Sequence, residues 1–505
     1  MSAIPQRIHG VLRGLDTVPA SSQHEGRFGR MFRGLPAARF SEADLKALAV
    51  AMVAAAEATQ TPETEADAEE NTGISAGYTY FGQFIDHDLT FDPASSLQKA
   101  NDPDALVDFR TPRFDLDCLY GRGPDDQPYL YESDGLRMLL GRPLTGNPHD
   151  PKTRDLPRNA PPAGSPRRAL IGDPRNDENV IVSQLHATFL RFHNRIADSC
   201  ANSHADFETV QRLVRWHYQW AVLHDFLPTI VGRETLEGVL PHLNRGTSIL
   251  EDKPDLRVFR WKNKPFMPVE FSVATYRFGH SMVRPIYRLN TTLVERQVIF
   301  STDPKIPNLT GFREFPAEWA IEWPLFFKMG AAPPLGRERV QPAYKIDSSL
   351  VNPLGNLPPA IATKVSSLAE RNLLRGLRMG LPSGQDIARK IGVPPIPDDL
   401  LRVGKATEED AAGNKRLVDI SPAFRSNAPL WYYVLAEAQQ AFQKDDTPIR
   451  LGPVGGRIVA EVFVGLMLGD THSFLRQDPL FQPTPAFTRN GLFGIAELIA
   501  QALEA

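Results

Sequence analysis

The chain has 505 residues, with 56 Lys and Arg against 60 Asp and Glu, a formal net charge of -4. This near balance, with no strongly basic stretch, argues against a nucleic-acid-binding protein. Hydrophobic residues make up 42% of the chain and only two cysteines are present, which excludes a disulfide-rich scaffold and fits a soluble globular protein.

The first 40 residues are rich in Arg and Gly and predict an irregular N-terminal arm, followed by one large domain over residues 41–505. Ser41-Glu-Ala-Asp is a capping-box pattern, and the Ala-rich run after it predicts a helix to about Ala56. Residues 1–19 lack the apolar core of a signal peptide, so we expect a cytoplasmic protein by default, with export by another signal left open.

The stretch around His87 places polar residues among large apolar ones. In a helix, Gln83 and His87 are four positions apart and share a face, Asp86 lies one step round, and Asp88 points away. Polar groups in such apolar company are buried only where something satisfies them. Two interpretations are open: a structural histidine in the core, or a ligand or cofactor pocket in which His87 is the acid–base group.

An alternating segment follows. Thr111, Arg113, Asp115 and Asp117 are each two positions apart, so an extended chain sends them the same way. Two carboxylates, a hydroxyl and a backbone carbonyl make a plausible shell for Ca²⁺. The segment is not an EF-hand, because the sixth position counted from Asp115 is Tyr120 rather than Gly. The alternative interpretation is a solvated acidic turn.

Long helices dominate the middle of the chain. Val180 to Ala197 predicts a helix, and its His186 and His193 are most simply core or surface histidines, since no Glu-x-x-His partner for a two-metal site exists. Phe207 to Phe226 predicts another amphipathic helix, ended by Pro228.

Helices continue into the C-terminal part. His280 lies in apolar company, where a lone histidine is usually structural. Leu368 to Gly380 predicts a further helix that carries several arginines, and two apolar helices follow near the end. Strand-like alternation is scarce, so the predicted fold class is mainly α, with long irregular connections.

Several catalytic motifs are absent. The chain has no Gly-x-Gly-x-x-Gly turn, P-loop or His-Glu-x-x-His. Nicotinamide-dependent, nucleotide-dependent and zinc-protease functions are therefore disfavoured.

Four segments in chain order carry a resemblance. They are Gly82-Gln-Phe-Ile-Asp-His-Asp88, the loop from Thr111 to Tyr120, Gly172-Asp-x-Arg175-x-x-Glu178 before a helix that ends in Phe192-His-Asn-Arg195, and Tyr276-Arg-Phe-Gly-His280. Together they resemble the animal-type haem peroxidases of the peroxidase–cyclooxygenase superfamily, in a compact, bacterial-looking form. The resemblance extends from about Gly77 to Asp470 and implies one large domain with a helical core around a buried haem.

The resemblance implies a role for each matching residue. The residues expected to act on peroxide are His87 as the distal histidine, Arg175 as the distal arginine and Gln83. The residues expected to hold haem b are His280 as the iron ligand, Asn372 as the acceptor of its ring N–H, Arg277 and Arg375 near the propionates, and Asp86 and Glu178, whose counterparts in many members form ester bonds to haem. The expected Ca²⁺ ligands are Asp88, Thr111, Arg113 through its carbonyl, Asp115 and Asp117.

Some positions depart from the family pattern. Asn179 stands where the leukocyte member has a methionine bonded to haem, so we expect no sulfonium link. Arg277 stands where cyclooxygenases place their radical tyrosine, which disfavours a cyclooxygenase reaction. The run after Asn372 lacks the Arg-Asp-His of animal members.

The function implied by the resemblance is that of a peroxidase. It would reduce hydrogen peroxide and oxidise small organic donors or halides (bromide, iodide, thiocyanate), as part of the response to oxidative stress. We expect a monomer with no nucleic-acid partner and no membrane span. Two alternatives stay open: a fatty-acid dioxygenase of the same superfamily, and a haem- and Ca²⁺-containing interaction domain without catalytic turnover.

Overall fold

The computed structural model of the chain describes residues 26–505 except residues 58, 91–106, 109, 202–204, 262–263, 363 and 443–446. The described part is mainly helical, which confirms the predicted fold class. The α-helices are α1 (Glu42–Met52), α2 (Gly77–Leu89), α3 (Asp117–Tyr120), α4 (Val180–Ser199), α5 (Phe207–Ala221), α6 (Leu227–Val231), α7 (Arg233–Val239), α8 (His242–Arg245), α9 (Val269–Val273), α10 (Leu368–Arg378), α11 (Gly384–Ile391), α12 (Glu408–Ala411), α13 (Leu417–Ile420), α14 (Leu430–Gln439), α15 (Pro453–Gly469), α16 (Phe474–Gln477) and α17 (Ile495–Glu504).

The strands are short and form small sheets between the helices. They are β1 (Gly26–Gly29), β2 (Glu70–Ser75), β3 (Val107–Asp108), β4 (Met267–Pro268), β5 (Ile286–Tyr287), β6 (Gln297–Val298), β7 (Pro342–Tyr344), β8 (Arg402–Val403) and β9 (Lys415–Arg416). β1 pairs antiparallel with β3 and parallel with β4. The pairs β2–β7, β5–β6 and β8–β9 are antiparallel ribbons.

The described part of the predicted N-terminal arm, residues 26–40, packs onto the domain. After β1, the backbone N–H groups of Met31 and Phe32 donate to the buried carboxylate of Glu270, at 3.0 and 3.1 Å. Residues 1–25 lie outside the described residues, so most of the predicted arm has no structural counterpart here.

Helix α1 begins as the sequence predicts and ends earlier. Ser41 Oγ accepts the N–H of Asp44, and the Asp44 carboxylate accepts the N–H of Ser41, so the capping box is formed. The helix ends at Met52 rather than near Ala56, because the backbone there pairs with Leu350. A non-local strand contact therefore replaces the last predicted turn.

The predicted end of the helix after Phe207 at Pro228 was wrong. The helical backbone runs from α5 through a π-helical turn, Val222–Phe226, into α6, and it ends at Gly232, whose φ is 80°. Pro228 lies in the first turn of α6, where its missing N–H is tolerated.

Helices α2 and α4 pack face to face in the core. The rings of Phe84 on α2 and Phe189 on α4 stack with centroids 4.4 Å apart, and both side chains are fully buried. The 3₁₀ helix Thr275–His280 packs against α2, and its Tyr276 hydroxyl donates to the Gly82 carbonyl at 3.2 Å. The segment that carries His280 is thus fixed directly to the helix that carries His87.

None of the described helices has the length and apolar character needed to cross a lipid bilayer.

Candidate functional site

One ring nitrogen of His87 is hydrogen-bonded to a residue outside its own helix. Its Nδ1 lies 2.7 Å from Oδ1 of Asn176, and the side chain is only 4% exposed. Since a carbonyl oxygen accepts, Nδ1 carries the proton and the lone pair is left on Nε2. Burial and the nearby Arg175 lower the pKa of His87 to about 4, so the ring is a neutral base at pH 7.

The side-chain amide of Asn176 also contacts a second histidine, His186. Its Nδ2 lies 2.9 Å from Nδ1 of His186, whose Nε2 is buried and has no hydrogen-bond partner among the described residues. Burial lowers the pKa of His186 to about 3, so this ring is neutral as well and accepts the amide N–H. The chain His87–Asn176–His186 fixes the amide, and the amide in turn fixes the tautomer of His87.

Arg175 is oriented by a buried carboxylate and by the helix of His87. Its guanidinium donates to Asp173 at 2.7 Å, to the carbonyl of His87 at 3.2 Å and to the carbonyl of Thr90. Although burial opposes it, Arg175 together with Arg110 holds the pKa of Asp173 well below its usual range. Arg175 therefore stays charged and fixed at the end of α2.

Gln83 lies in a hydrogen-bond chain with two neighbouring residues. Its Nε2 donates to Glu178, and its Oε1 accepts from Nδ2 of Asn179 at 3.1 Å. Asn179 also caps α4 by accepting the N–H groups of Ile181 and Val182. Burial raises the pKa of Glu178 to about 7.

His280 is held by an asparagine of its own. Nδ1 of His280 lies 2.8 Å from Nδ2 of Asn372 on α10, so the predicted contact exists with the amide nitrogen rather than the oxygen towards the ring. A half-turn of the amide would put Oδ1 there and leave the Nε2 lone pair free for a metal. The indole of Trp431 lies edge-on, 6.5 Å between ring centroids, and donates to the Arg277 carbonyl.

An ion pair joins the helix that carries His87 to the segment that carries His280. Asp86 on α2 lies 3.3 Å from Arg277, three residues before His280. The Asp86 charge acts on the pKa of both His87 and His280, so both rings lie within electrostatic reach of one carboxylate. Burial, with Arg277 next, lowers the pKa of His280 to about 3.

Two arginines, Arg371 and Arg375, flank Asn372 along α10. Burial and the repulsion of Arg277 lower the pKa of Arg371, which also senses the Glu178 charge. Arg375, one turn further along α10, is half-buried.

Four residues near the two histidines, Gln83, Glu178, Arg277 and His280, keep accessible surface although burial shifts the pKa of Glu178 and His280. A Cβ built on Gly279 would meet no atom within 4 Å, so the backbone next to His280 has open space beside it. Imidazole, carboxylate and guanidinium groups at such positions are the donor set that a haem needs. The residues present therefore fit a haem.

A second cluster fits a hard cation. Carboxylate oxygens of Asp88, Asp115 and Asp117 lie within 4.8 Å of one another. Both oxygens of Asp88 are buried without a hydrogen-bond partner in the part of the chain that the structure describes. Burial and the charges of Asp115 and Asp117 raise the pKa of Asp88 well above its usual range. Three carboxylates that repel one another, two of them buried and the third half-buried, fit a divalent cation.

The remaining predicted ligands border this cluster. Thr111 Oγ1 donates to Asp115 at 2.6 Å, and the N–H of Arg113 donates to the carbonyl of Thr111. Arg110 lies 3.4 Å from Asp117 and also donates to Asp173 at 3.1 Å. Asp173 thus bonds the guanidinium next to the cation cluster and the guanidinium next to His87.

The sequence model for the animal haem peroxidase matches residues 98–399, more than half of the chain. The chain belongs to the animal haem peroxidase family. Peroxidasin of Drosophila melanogaster is 26% identical over 64% of this chain and 20% of its own length. Human thyroid peroxidase is 26% identical over 46% of this chain and 24% of its own length. The chain therefore aligns with about a fifth to a quarter of these two relatives.

Solved structures share the fold. Peroxidase A from Dictyostelium discoideum superposes with a TM-score of 0.62 at 17% identity, over 96% of this chain and 94% of that chain. The fatty acid alpha-dioxygenase of Oryza sativa gives a TM-score of 0.54 at 14% identity, over 93% of this chain and 77% of that chain. At these identities the likeness concerns the fold alone, which is that of a single peroxidase domain.

Three residues of this candidate site were given no role in it from the sequence. Asn176 was seen only as part of a polar turn, and His186 was assigned to the core or surface. Asp173 was noted only as part of the Gly-Asp-x-Arg motif. A turn residue directly after the distal arginine was the one available signal for Asn176, since the contact to His87 spans 89 positions.

Proposed function

We propose that the protein is a haem peroxidase that reduces hydrogen peroxide and oxidises small organic donors or halides such as bromide, iodide or thiocyanate. The proposal rests on two histidines, His87 and His280, that each contact an asparagine side chain through Nδ1. The Asp86–Arg277 ion pair joins the two segments that carry them. One imidazole is available to a metal and the other is a neutral base, which is the division of labour that peroxide chemistry needs.

His280 is the residue that would bind the iron through Nε2. Arg277 and Arg375 would pair with the propionates, and the position of Arg371 between Arg277 and Glu178 gives it the same role. Asp86 and Glu178 are the carboxylates that would form ester bonds. The chemistry that haem supplies when bound is the two-electron reduction of peroxide and the return of those electrons from a donor.

His87 moves the proton. Its Nε2 takes the proton that hydrogen peroxide loses on binding and returns it to the departing oxygen, which leaves as water. This is general acid–base catalysis, which contributes roughly 10²–10⁴-fold. Arg175 stabilises negative charge that develops on the departing oxygen, and Gln83 orients water or a halide ion next to His87.

The cluster of Asp88, Asp115 and Asp117 would hold Ca²⁺, with Thr111 and the Arg113 carbonyl as further ligands. Because Asp88 directly follows His87 on α2, the ion would fix the turn of helix that positions the catalytic base.

The test is an absorption spectrum of the haem-loaded protein before and after one equivalent of hydrogen peroxide. We expect a Soret band that changes within the mixing time, and peroxidase turnover with an organic donor. A haem-loaded protein whose spectrum did not change with peroxide would support the interaction-domain alternative instead.

The dioxygenase alternative has a separate test. It needs a tyrosyl radical, and the nearest candidate, Tyr276, is stacked on Phe271 and donates its hydroxyl to Gly82. Arg277 occupies the family position of the radical tyrosine. Oxygen uptake with an unsaturated fatty acid, in the absence of peroxide turnover, would favour the dioxygenase.

We propose further that the protein is a monomer that takes part in the response to oxidative stress, in the cytoplasm unless it is exported. Gel filtration tests the first point and cell fractionation the last.

A further inference from the structure

A small cavity outside the candidate active site is lined by arginines. It lies beside the β2–β7 and β5–β6 ribbons, and none of its lining residues belongs to the haem or cation clusters. The charged residues that line it are Glu63, Arg284, Arg288, Arg296, Arg337 and Arg339.

The carboxylates nearby neutralise only part of this charge. Glu70, which is buried behind the cavity, accepts from Arg284 at 2.8 Å and from Arg339 at 3.1 Å. Glu63 accepts from Arg288 at 2.7 Å. Five guanidinium groups against these two carboxylates leave a surplus of about three positive charges, since Arg never deprotonates in proteins.

Two of the arginines donate their hydrogen bonds to backbone carbonyls. Arg296 donates to the carbonyl of Thr61 at 3.1 Å, and Arg337 donates to the carbonyl of Thr291 at 2.9 Å. A carbonyl satisfies an N–H but does not neutralise a charge. Neither guanidinium donates to a carboxylate in the described hydrogen bonds, although both charges act on Glu63 from a distance.

A buried donor at the same place is unsatisfied. Nε of Arg284 has no hydrogen-bond partner among the described residues, and the residue is 3% exposed. Burial lowers the pKa of Arg296, the charge of Glu63 raises it, and the charges of Arg284, Arg288 and Arg339 lower it. An unsatisfied buried donor beside a surplus of guanidinium charge is the environment that a bound anion relieves.

We propose that this cavity binds a small inorganic anion between Arg284, Arg296 and Arg337. The planar guanidinium fork suits oxyanions such as phosphate, and the confined space suits a halide ion, so the shared chemistry is a compact anion. The bound ion joins two chain segments, because Arg284 and Arg296 come from one part of the sequence and Arg337 from another.

The site is structural rather than catalytic. Arg284 lies four residues after His280, and Met282 between them accepts the N–H of Tyr344 on β7. An anion bound by Arg284, Arg296 and Arg337 would therefore stabilise the segment that follows His280. The effect is expected on stability, through selective binding to the folded state.

The experiment compares the haem-loaded wild type, the double variant Arg296→Gln/Arg337→Gln and the charge-matched control Arg425→Gln/Arg476→Gln, whose two side chains are exposed. Calorimetric titration with inorganic phosphate, and separately with sodium bromide, measures the affinity. At least one anion should bind the wild type and the control saturably, and the double variant at least about 10-fold more weakly. Saturation by phosphate alone assigns an oxyanion site, and saturation by bromide alone a halide site.

Equal, non-saturating heats in all three proteins would overturn the proposal. If the double variant does not fold, wild-type crystals soaked in bromide and, separately, in phosphate replace it. Anomalous bromide density or phosphate density between Arg284 and Arg296 supports the site, and an empty cavity in both soaks overturns it. Neither result depends on peroxidase activity.

Discussion

His87 and His280 each contact an asparagine side chain through Nδ1, but they differ in secondary structure and in burial. His87 sits within a long regular helix, is almost fully buried, and faces the carbonyl of Asn176. His280 ends a short 3₁₀ helix, retains accessible surface, and faces the amide nitrogen of Asn372. The Oδ1 of Asn176 fixes the proton of His87 on Nδ1, and the same tautomer of His280 needs the Asn372 amide with its oxygen towards the ring.

The largest expected effect on the contrast between the two histidines is that of a substitution at His280. His280→Ala removes the protein ligand of the iron, so we expect loss of the Soret band of the reconstituted protein and turnover below detection. Absorbance after gel filtration measures retained haem. His149→Ala, at an exposed histidine, is the control and should retain both. Full haem retention with normal turnover would remove His280 from the site.

His87→Ala should separate chemistry from haem binding. The variant should keep its Soret band, because His87 does not hold the iron, but react with peroxide roughly 10²–10⁴-fold more slowly. Stopped-flow absorbance at increasing peroxide concentrations gives the rate constant. An unchanged rate constant would show that another group is the distal base.

The asparagines sharpen the contrast between the two sides. Asn176→Ala frees the tautomer of His87 and should slow the peroxide reaction about 10–100-fold with an unchanged resting spectrum. Asn372→Ala should instead change the reduction potential and the resting spectrum. Redox titration and stopped-flow absorbance on both variants separate the two. Identical profiles for the two variants would contradict the assignment of sides.

The cation cluster gives the distal side its own pH dependence. In the metal-free protein, burial and neighbouring charges raise the pKa of Asp117 to about 7 and raise the pKa of Asp88 and Asp115. A carboxyl whose pKa is higher folded than unfolded binds more protons in the native state. Its contribution is therefore present at low pH and is lost as the pH rises from about 4 to about 7.

Calcium should reverse this loss, because a bound cation stabilises the charged carboxylates. We expect the Tm difference between Ca²⁺-loaded and chelator-treated protein to be larger at pH 8 than at pH 6. Asp115→Asn should reduce the difference, and Asp419→Asn, at an exposed carboxylate, should not. A Tm difference that is absent at both pH values would contradict a cation at this cluster.

The smallest effect on turnover is expected from the ester bonds. Glu178→Gln and Asp86→Asn each remove one acid that would bond to haem after exposure to peroxide. Extraction with acidified organic solvent should release haem from a variant that lacks both acids and should leave it bound in the wild type. Complete release from peroxide-treated wild type would show that no ester forms.

Much of this architecture could be predicted because the motifs are local. The spacing of Gln83 and His87 places them on one helical face, and the alternation of Asp115 and Asp117 predicted two converging carboxylates. The structure brings these two together with Asp88, although Leu116 between them has a φ of 56° and is not extended. Their role as ligands stays a prediction.

What could not be predicted depends on contacts between distant segments. The contact of Asn176 with His87 and that of Asn372 with His280 span 89 and 92 positions. The resemblance to a family supplied the second and not the first. The end of α6 was missed because a π-helical turn, which depends on tertiary packing, carries the backbone past Pro228.

Asp173 makes two distant parts of the molecule mechanically dependent on each other. One of its oxygens accepts from Arg110 at 3.1 Å and from Arg175 at 2.7 Å, so a shift on either side is transmitted through a single rigid carboxylate. A substitution that displaced Arg110 is therefore expected to displace Asp173 as well, and with it the guanidinium that contacts the backbone of His87.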